Sequence, residues 1–363
     1  LTVRAEAGQH CPEVTDKLLL ESMEITPTTA NLTVYVSAVK EASLSRKLAV
    51  LGNELVSSGR TPAEALSHAR TVIQELAEDG GAGEATTVAD ALNALCDRVE
   101  RQSEDGKAPC VPTGLAGLDR LLGGGYINGG LHVIGARPAV GKSALALQIA
   151  LNAAKAGTRV LYVSLEMNPE DCSARLVGNL GGGSAARFMF GGTLEEEEYK
   201  RFASGMSQLS KLPIVFNRRS GINIRQIEAL CFREKPGLLV IDHLGLLEPP
   251  EKRLSLYEST TRNSRALKLL AMRLDIPVLC LCQLNRAAAS DRSGDFRATM
   301  ANLRESGAIE QDADTVCLLH NPPCESSGVG TPSLLELWLD KNRRGPCGHV
   351  DATFYKATGR IVC

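Results

Sequence analysis

The stretch Leu131-His132-Val133-Ile134-Gly135-Ala136-Arg137-Pro138-Ala139-Val140-Gly141-Lys142-Ser143 decides the fold of this chain. The apolar run at its start is typical of a buried strand, and the run at residues 144–150 that follows it is typical of a helix. Strand, glycine-containing loop, Lys-Ser and helix form the layout of a phosphate-binding loop, in which backbone N–H groups and the helix N-terminus attract an anion. We therefore predict that Lys142 reaches the terminal phosphates of a nucleotide and that the Ser143 hydroxyl binds Mg²⁺.

One position of this loop departs from the usual pattern. Gly-x-x-x-x-Gly-Lys-Ser/Thr places Ala136 at the first glycine, with Gly135 one residue early. The alternative interpretation is a glycine turn before a helix that carries a surface lysine. The strand and helix patterns on the two sides favour the phosphate-binding loop, so we expect nucleotide contacts from eight consecutive residues: Ala136, Arg137, Pro138, Ala139, Val140, Gly141, Lys142 and Ser143.

The composition is that of an ordinary globular protein. The chain has 363 residues, of which 44% are hydrophobic and 23% are charged, enough for one large domain and a smaller one. A net charge of -2 supplies no general basic field, so any nucleic-acid binding must rest on local clusters. The sequence contains no apolar run long enough for a membrane span and no signal-peptide pattern, and its eleven cysteines are scattered. We expect reduced thiols and a cytoplasmic location.

The first 110 residues are predicted to form a helical N-terminal region followed by a linker that contains one helix. Residues 1–80 form an N-terminal region in which 26–78 carry apolar side chains at helical spacing, and Thr61-Pro62-Ala63-Glu64 is typical of a helix start. Residues 81–110 form a linker with one amphipathic helix at 86–102. An isolated helix cannot bury its apolar stripe alone. It either packs on its own domain or docks on another domain or subunit, and the stripe alone favours neither.

From residue 111 to 363 the pattern changes to alternating strands and helices. This alternation predicts an α/β domain with a mainly parallel central sheet that is covered on both faces. The expected parallel strands are short apolar runs at 131–134, 160–165, 238–241, 277–281 and 315–319. The runs at 334–339 and 350–355 alternate in the way of antiparallel strands and are expected to close one edge of the sheet.

Two acidic residues end predicted strands. Asp242 follows Leu238-Leu239-Val240-Ile241, at the carboxyl end of a strand, where ligands bind in open α/β sheets. Together with the upstream loop it is predicted to hold Mg²⁺. Glu166 ends the strand at 160–165, and we expect it beside the phosphate loop at the same sheet edge, orienting or deprotonating a water. The alternative for Glu166 is a helix-capping acid.

Three further polar residues end later strands. Gln283 can contact the γ-phosphate, although one glutamine alone favours a residue that merely closes a strand. Lys341 and Arg343 alternate in an extended stretch and so point the same way, which suits residues inserted into a neighbouring subunit's nucleotide site. Spacing alone favours a solvated basic turn. The polar segment 285–307, which includes Arg286 and Arg304, is suited to tracking a DNA backbone.

These stretches together resemble the DnaB-type replicative helicase family, within the RecA-like motor ATPases. The resemblance covers residue 111 to the C-terminus, with the motifs in the family's order. Its most specific run is Arg304-Glu305-Ser306-Gly307-Ala308-Ile309-Glu310-Gln311-Asp312-Ala313-Asp314. Other motifs are Arg137-Pro138-Ala139-Val140-Gly141-Lys142-Ser143, Ser164-Leu165-Glu166-Met167, Ile241-Asp242-His243-Leu244, Gln283-Leu284-Asn285-Arg286 and Lys341-Asn342-Arg343-Arg344-Gly345. The family prefers Ala before Arg-Pro in its phosphate loop.

The resemblance implies an ATP- and Mg²⁺-dependent DNA helicase that forms a six-membered ring around single-stranded DNA and moves 5′ to 3′. It implies that Glu166 is the catalytic glutamate and that Lys341 and Arg343 reach into the adjacent site. It implies that Arg304, Glu305 and Gly307 belong to a loop that follows the DNA backbone, and Arg286, in the polar segment 285–307, is the further DNA contact that we predict. The helix at 86–102 matches the family's linker helix, which docks on the next subunit. Primase and a helicase loader are the further partners implied, in a bacterial or phage-infected cell.

The chain also departs from the family's pattern. Its N-terminal region corresponds to part of the family's N-terminal domain, which puts stimulation of primase in doubt. Two other functions therefore stay open from the sequence. One is a strand-exchange recombinase of the RecA/RadA kind, which shares the phosphate loop and the strand-ending acid. The other is a truncated helicase-like assembly or loading protein that does not unwind DNA.

Overall fold

The computed structural model describes residues 32–57, 59–79, 87–105, 110–190, 193–217, 221–249, 255–284, 297, 299–300, 307–322 and 331–363. The chain forms two compact units, Leu1–Cys96 and Asp97–Cys363. The domain boundaries expected at residues 80 and 110 stay predictions. None of the helices in these described ranges combines the length and the apolar character that crossing a membrane requires.

The described part of the first unit is helical. Helix α1 spans Leu32–Ser57, and α2 spans Pro62–Asp79 and packs on α1. Helix α2 begins where the sequence places it, because the Glu64 carboxylate accepts hydrogen bonds from the Thr61 amide at 3.0 Å and hydroxyl at 2.8 Å. Helix α3 follows at Val88–Asp105. The apolar side chains of its stripe are all more than half exposed: Val88, Leu92, Leu95 and Val99.

The second unit is built on a large sheet. Two short strands form a separate antiparallel pair, β1 (Cys110–Val111) and β2 (Tyr126–Ile127). The large sheet contains nine strands: β3 (Leu131–Ala136), β4 (Val160–Ser164), β5 (Ile214–Phe216), β6 (Leu238–Asp242), β7 (Val278–Gln283), β8 (Thr315–His320), β9 (Ser333–Asn342), β10 (Gly348–Tyr355) and β11 (Arg360–Val362). The helices that begin within the described residues of this unit are α4 (Ala116–Leu122), α5 (Lys142–Lys155), α6 (Pro169–Gly181), α7 (Ala185–Phe190), α8 (Glu196–Leu209), α9 (Ile224–Glu234), α10 (Leu256–Leu274) and α11 (Gly307–Asp312).

The strand order confirms the predicted fold class. The strands lie in the order β11-β10-β9-β8-β3-β7-β6-β4-β5, with parallel pairing from β8 to β5 and antiparallel pairing from β8 to β11. The antiparallel strands therefore close one edge, as the alternating runs predicted. Strands β5 and β11 were not predicted, because three-residue segments carry too little periodicity to be recognised.

Hydrophobic cores fill both faces of the sheet. Successive residues of β3 and β7 alternate between the cores because side chains alternate along a strand. Helix α5 supplies much of one core, with Ile149 and Leu151 fully buried, and α9 and α10 supply the other through Ile227 and Leu270. This covering on both faces makes the strands near-continuous apolar runs, which is the pattern that the sequence shows.

His132 is a buried polar residue inside β3. Its Nδ1 lies 2.9 Å from the Thr315 hydroxyl and its Nε2 lies 3.3 Å from the Ile127 carbonyl. A carbonyl only accepts, so Nε2 carries the proton and Nδ1 accepts from Thr315. Burial disfavours the charged ring and lowers the pKa of His132 from 6.5 to about 4.

We expect the free energy of unfolding to fall as the pH drops from 6.5 to about 4, because unfolded His132 binds a proton there that the folded residue does not. The loss approaches roughly 3 kcal/mol at the low end of this window. Urea unfolding followed by circular dichroism at several pH values measures it. His132→Gln removes this part of the pH dependence, whereas His349→Gln, at an exposed histidine, leaves it in place. An equal slope in His132→Gln and wild type contradicts the prediction.

Candidate nucleotide site

The loop between β3 and α5 has the backbone that phosphate binding requires. Gly141 precedes the helix with φ 116°, a left-handed conformation, and a Cβ added at this position would lie 3.0 Å from the Phe354 ring. Ala139 also has a positive φ of 65°, which is strained for a residue with a side chain. The Leu145 amide bonds to the Gly141 carbonyl at 2.9 Å, so the amides of residues 142–144 precede the first intrahelical bond and can donate to an anion.

A cavity of about 1020 Å³ opens above this loop. The predicted nucleotide-binding residues that line it are Ala136, Arg137, Pro138, Ala139, Gly141, Lys142 and Ser143, and Glu166 and Gln283 line it as well. Val140 differs from its neighbours, because its side chain packs against the apolar core and leaves only its backbone for a nucleotide.

Asp242 lies beneath the loop at the carboxyl end of β6 and is 1% exposed. Its Oδ2 accepts a hydrogen bond from the Tyr162 hydroxyl at 3.1 Å, and its Oδ1 lies 3.9 Å from Lys142 Nζ. Oδ1 is buried without a hydrogen-bond partner. A buried carboxylate oxygen without a partner is costly unless a ligand completes it, and a hard divalent cation is such a ligand. The donor set of Asp242 and the Ser143 hydroxyl therefore fits Mg²⁺.

Tyr162 contacts the candidate site through Asp242 and was missed by sequence reasoning. Burial, reinforced by the neighbouring Asp242 carboxylate, raises the pKa of Tyr162 well above its usual value, so the hydroxyl stays protonated and donates. The available signal was a tyrosine within an apolar strand, since a buried phenol needs a hydrogen-bond partner. Asp242 is thereby held with one oxygen occupied and the other directed to Lys142.

Tyr162→Phe is expected to weaken the cation site without removing a ligand. The variant leaves Asp242 Oδ2 without its donor, and loss of such an outer contact costs about 10- to 100-fold in metal affinity. We expect the Mg²⁺ concentration for half-maximal ATPase activity to rise by about this factor, with a smaller change at saturating Mg²⁺. Tyr199→Phe, at an exposed tyrosine of helix α8, is the matched control. An unchanged Mg²⁺ dependence in Tyr162→Phe argues against the assignment.

Glu166 lies at the same sheet edge as the phosphate loop, as expected, but it does not lie directly beside β3. Strands β7 and β6 separate β4, which Glu166 follows, from β3. The Leu165 amide bonds to the Asp242 carbonyl at 2.7 Å and ties the Glu166 loop to the end of β6. Gln283 is closer to the loop, because β7 is the neighbour of β3 and Gln283 pairs in register with Ala136. Its side chain is exposed at the end of β7.

Lys341 and Arg343 lie at the opposite end of the strands, level with the start of β3 and β8. Strand β9 runs antiparallel to β8, and Asn342 pairs with Thr315, the first residue of β8. Thr315 in turn pairs with His132 near the start of β3. At roughly 3.3 Å per residue, this level is about 13 Å along the strands from Ala136, where the phosphate loop begins. Neither cation lines the nucleotide cavity of its own chain.

The two cations point the same way, as their spacing predicts, and both contact the end of α11. Lys341 Nζ donates to the Glu310 carbonyl, and it lies 3.4 Å from the Gln311 carbonyl. The Arg343 guanidinium donates to the Gln311 carbonyl. Burial, together with neighbouring Arg343, lowers the pKa of Lys341. The basic turn is therefore partly packed rather than fully solvated.

The predicted DNA contacts Arg286, Arg304 and Glu305 lie outside the described residues. Gly307 is the first residue of α11. Other residues that line the nucleotide cavity were missed from the sequence: Asp171, Arg175, Phe354 and Lys356. Asp171 and Arg175 stand one turn apart on α6, a spacing that was available but gave no reason to choose them.

The sheet is mainly parallel, with a phosphate loop after β3 and a buried aspartate at the end of β6, which is separated from β3 by β7 in the sheet. This arrangement defines a P-loop ATPase with a RecA-like core. The model of the family described as "DnaB-like helicase C terminal domain" matches residues 110–362. The chain belongs to this DnaB-like helicase family and is an ATP-dependent replicative helicase, as its motifs predicted.

Relatives and solved structures agree with this family. Replicative DNA helicase DnaB of Geobacillus stearothermophilus is 31% identical over 379 residues, covering 100% of this chain and 82% of the relative. Replicative DNA helicase DnaC of Bacillus subtilis is 32% identical over 350 residues, covering 93% of this chain and 76% of the relative. A solved structure described as an ATPase domain superposes with a TM-score of 0.69 at 30% identity, covering 77% of this chain and 99% of that one. A solved DnaB-like replicative helicase, described with its interactions with primase, superposes with a TM-score of 0.75 at 27% identity. The match covers 99% of this chain and 86% of that one.

Proposed function

We propose that this chain assembles into a closed hexamer and couples ATP hydrolysis to 5′-to-3′ movement on single-stranded DNA. The observation that carries the proposal is the position of the two groups of cations. Lys142 lies in the nucleotide cavity, beyond the carboxyl end of β3, and Arg343 lies at the opposite end of the strands, near the start of β8. Subunits that insert Lys341 and Arg343 into the next cavity form head-to-tail contacts, and such contacts either close into a ring or extend into a filament.

Each residue that lines the cavity or lies beneath it has a proposed role. Lys142 and the amides at the start of α5 bind the terminal phosphates of ATP. Ser143 and Asp242 hold Mg²⁺, which neutralises charge on the β- and γ-phosphates when it is bound. Glu166 orients the attacking water and accepts its proton, and Gln283 contacts the γ-phosphate and transmits its loss to the segment that follows β7.

The proposed partners occupy other surfaces. Arg286, Arg304, Glu305 and Gly307 contact the backbone of single-stranded DNA. The exposed apolar stripe of α3 docks on the next subunit, because more than half of each of its side chains is in contact with water in one chain. A helicase loader and primase are proposed further partners; one solved relative is described with its interactions with primase. We propose the cytoplasm of a bacterial or phage-infected cell as the location.

A strand-displacement assay on forked duplexes tests this function. We expect ATP- and Mg²⁺-dependent displacement from a fork with a free 5′ tail, none from a duplex with only a 3′ tail, and a hexamer by native mass spectrometry. Lys142→Ala is the control and should lose about 100-fold or more in ATPase activity. ATP hydrolysis on single-stranded DNA without displacement favours the assembly or loading role. Strand exchange between homologous DNAs favours the recombinase.

A further inference from the structure

We propose that Asp314 is the positioning residue for Arg343 and that Lys268 holds Asp314 in place. The inference rests on the proposed function, in which Arg343 acts in the neighbouring subunit's nucleotide site. Asp314 follows α11, and Lys268 belongs to α10.

Two atoms of Asp314 face Arg343. The Asp314 carbonyl accepts a hydrogen bond from the Arg343 amide at 2.9 Å, and Asp314 Oδ1 lies 3.6 Å from the Arg343 guanidinium. The guanidinium's other contact is the Gln311 carbonyl. Asp314 therefore fixes the backbone of Arg343 at the end of β9 and also orients its half-exposed side chain.

Asp314 is itself held rigidly. It is 6% exposed, and its Oδ2 accepts hydrogen bonds from the Leu131 amide at 2.8 Å and from Lys268 Nζ at 2.7 Å. Its own amide donates to the Leu131 carbonyl at 2.7 Å. Lys268 is fixed in turn by the Gly129 carbonyl at 2.9 Å. Asp314 is thus joined to the first residue of β3, the strand that ends in the phosphate loop.

The charge on Asp314 is maintained despite its burial. Burial alone raises the pKa of this carboxyl, but the hydrogen bonds from Lys268 and Leu131 outweigh it and leave the pKa of Asp314 below its usual value. Asp314 is therefore ionised at neutral pH and attracts the Arg343 guanidinium.

The two carboxylate oxygens have separate uses. Lys268 and Leu131 both bond to Oδ2, which leaves Oδ1 for Arg343. A purely structural ion pair needs only Oδ2. The orientation of the second oxygen is what indicates a role in aiming Arg343.

The first test is the kinetics of Asp314→Asn. The neutral amide keeps the size of the side chain but loses the charge that attracts the guanidinium. We expect the affinity for a fluorescent ATP analogue to stay within about two-fold, because the phosphate loop is unchanged. We expect kcat to fall by about 100-fold, the order of loss that a misplacement of about 1 Å causes. Wild-type kcat in folded Asp314→Asn overturns the inference.

Mixed rings separate positioning from a structural defect. In a ring of Asp314→Asn and Lys142→Ala subunits, a Lys142→Ala subunit supplies a well-placed Arg343 to the intact phosphate loop of an Asp314→Asn neighbour. We therefore expect the mixture to exceed the sum of the two separate ATPase activities. A structural defect stays within the subunit that carries it, so absence of this gain overturns the inference.

A mixture of Arg343→Ala with Lys142→Ala is the reference. If this mixture gains activity and the Asp314→Asn mixture does not, the inference fails while the proposed trans site stands. If neither gains activity, the trans site fails and the inference falls with it.

Lys268→Met provides a second variant should Asp314→Asn not fold. It removes the residue that fixes Asp314 but retains the carboxylate, so we expect the same gain in mixtures with Lys142→Ala and a smaller loss of kcat. Lys155→Met, at an exposed lysine near the end of α5, is the matched control. Equal kcat in Lys268→Met and Lys155→Met overturns the proposed role of Lys268.

Discussion

Rings in which every subunit carries Arg343→Ala are expected to hydrolyse ATP about 1000-fold or more slowly than wild-type rings, the order that an arginine finger contributes to phosphoryl transfer. The physical reason is that charge spreads over the γ-phosphoryl group in the transition state, and on the proposed function Arg343 of the neighbouring subunit helps to neutralise it. Arg343 lies at the end of the strands that is opposite the phosphate loop of its own chain. Binding of ATP should change little, because Lys142 and the loop amides remain.

Steady-state hydrolysis on single-stranded DNA, together with titration of a fluorescent nucleotide, measures this effect. Arg344→Ala is the matched control, since Arg344 is the exposed neighbour on the same turn. A loss of nucleotide affinity as large as the loss of kcat points to a role for Arg343 within its own subunit instead.

Glu166→Gln is the second substitution with a large expected effect. The amide keeps the shape of the side chain but cannot accept a proton, and general-base catalysis contributes about 100- to 10,000-fold. We expect kcat for ATP to fall within this range and KM to change little. ATP-dependent assembly on single-stranded DNA should persist, because the groups that bind phosphate are intact.

Glu170→Gln serves as the control for Glu166→Gln. Glu170 is exposed at the start of α6, four residues after Glu166, and does not line the nucleotide cavity. If the two variants have similar kcat values, Glu166 is not the base. Asp171, which does line the cavity, is then the next carboxylate to test.

The sequence was sufficient for those features that depend on neighbouring residues. The phosphate loop, the strands on either side of it and the buried Asp242 all follow from local periodicity and from residues close in the chain. The start of α2 at Pro62 follows from one capping interaction. Each of these features requires only that a segment adopt its own preferred conformation.

Strand order could not be obtained in this way. Nothing near Glu166 indicates that β7 and β6 intervene between its strand and β3, because strand order depends on how whole crossovers pack. Tyr162 was missed for the same reason, since its hydroxyl meets Asp242 across two paired strands. The contact of Asp314 with Leu131 joins residues 183 positions apart, a separation that no local pattern contains.

The opposite placement of Lys142 and Arg343 has a consequence for how activity depends on protein concentration. Strands β3, β8 and β9 are hydrogen-bonded neighbours, so no movement of a loop brings the two ends of the sheet together. On the proposed function, in which Arg343 acts in the neighbouring subunit's site, a solitary subunit cannot complete its own site. Specific activity should fall on dilution, and the concentration at which it halves would report the strength of assembly without any physical measurement of size.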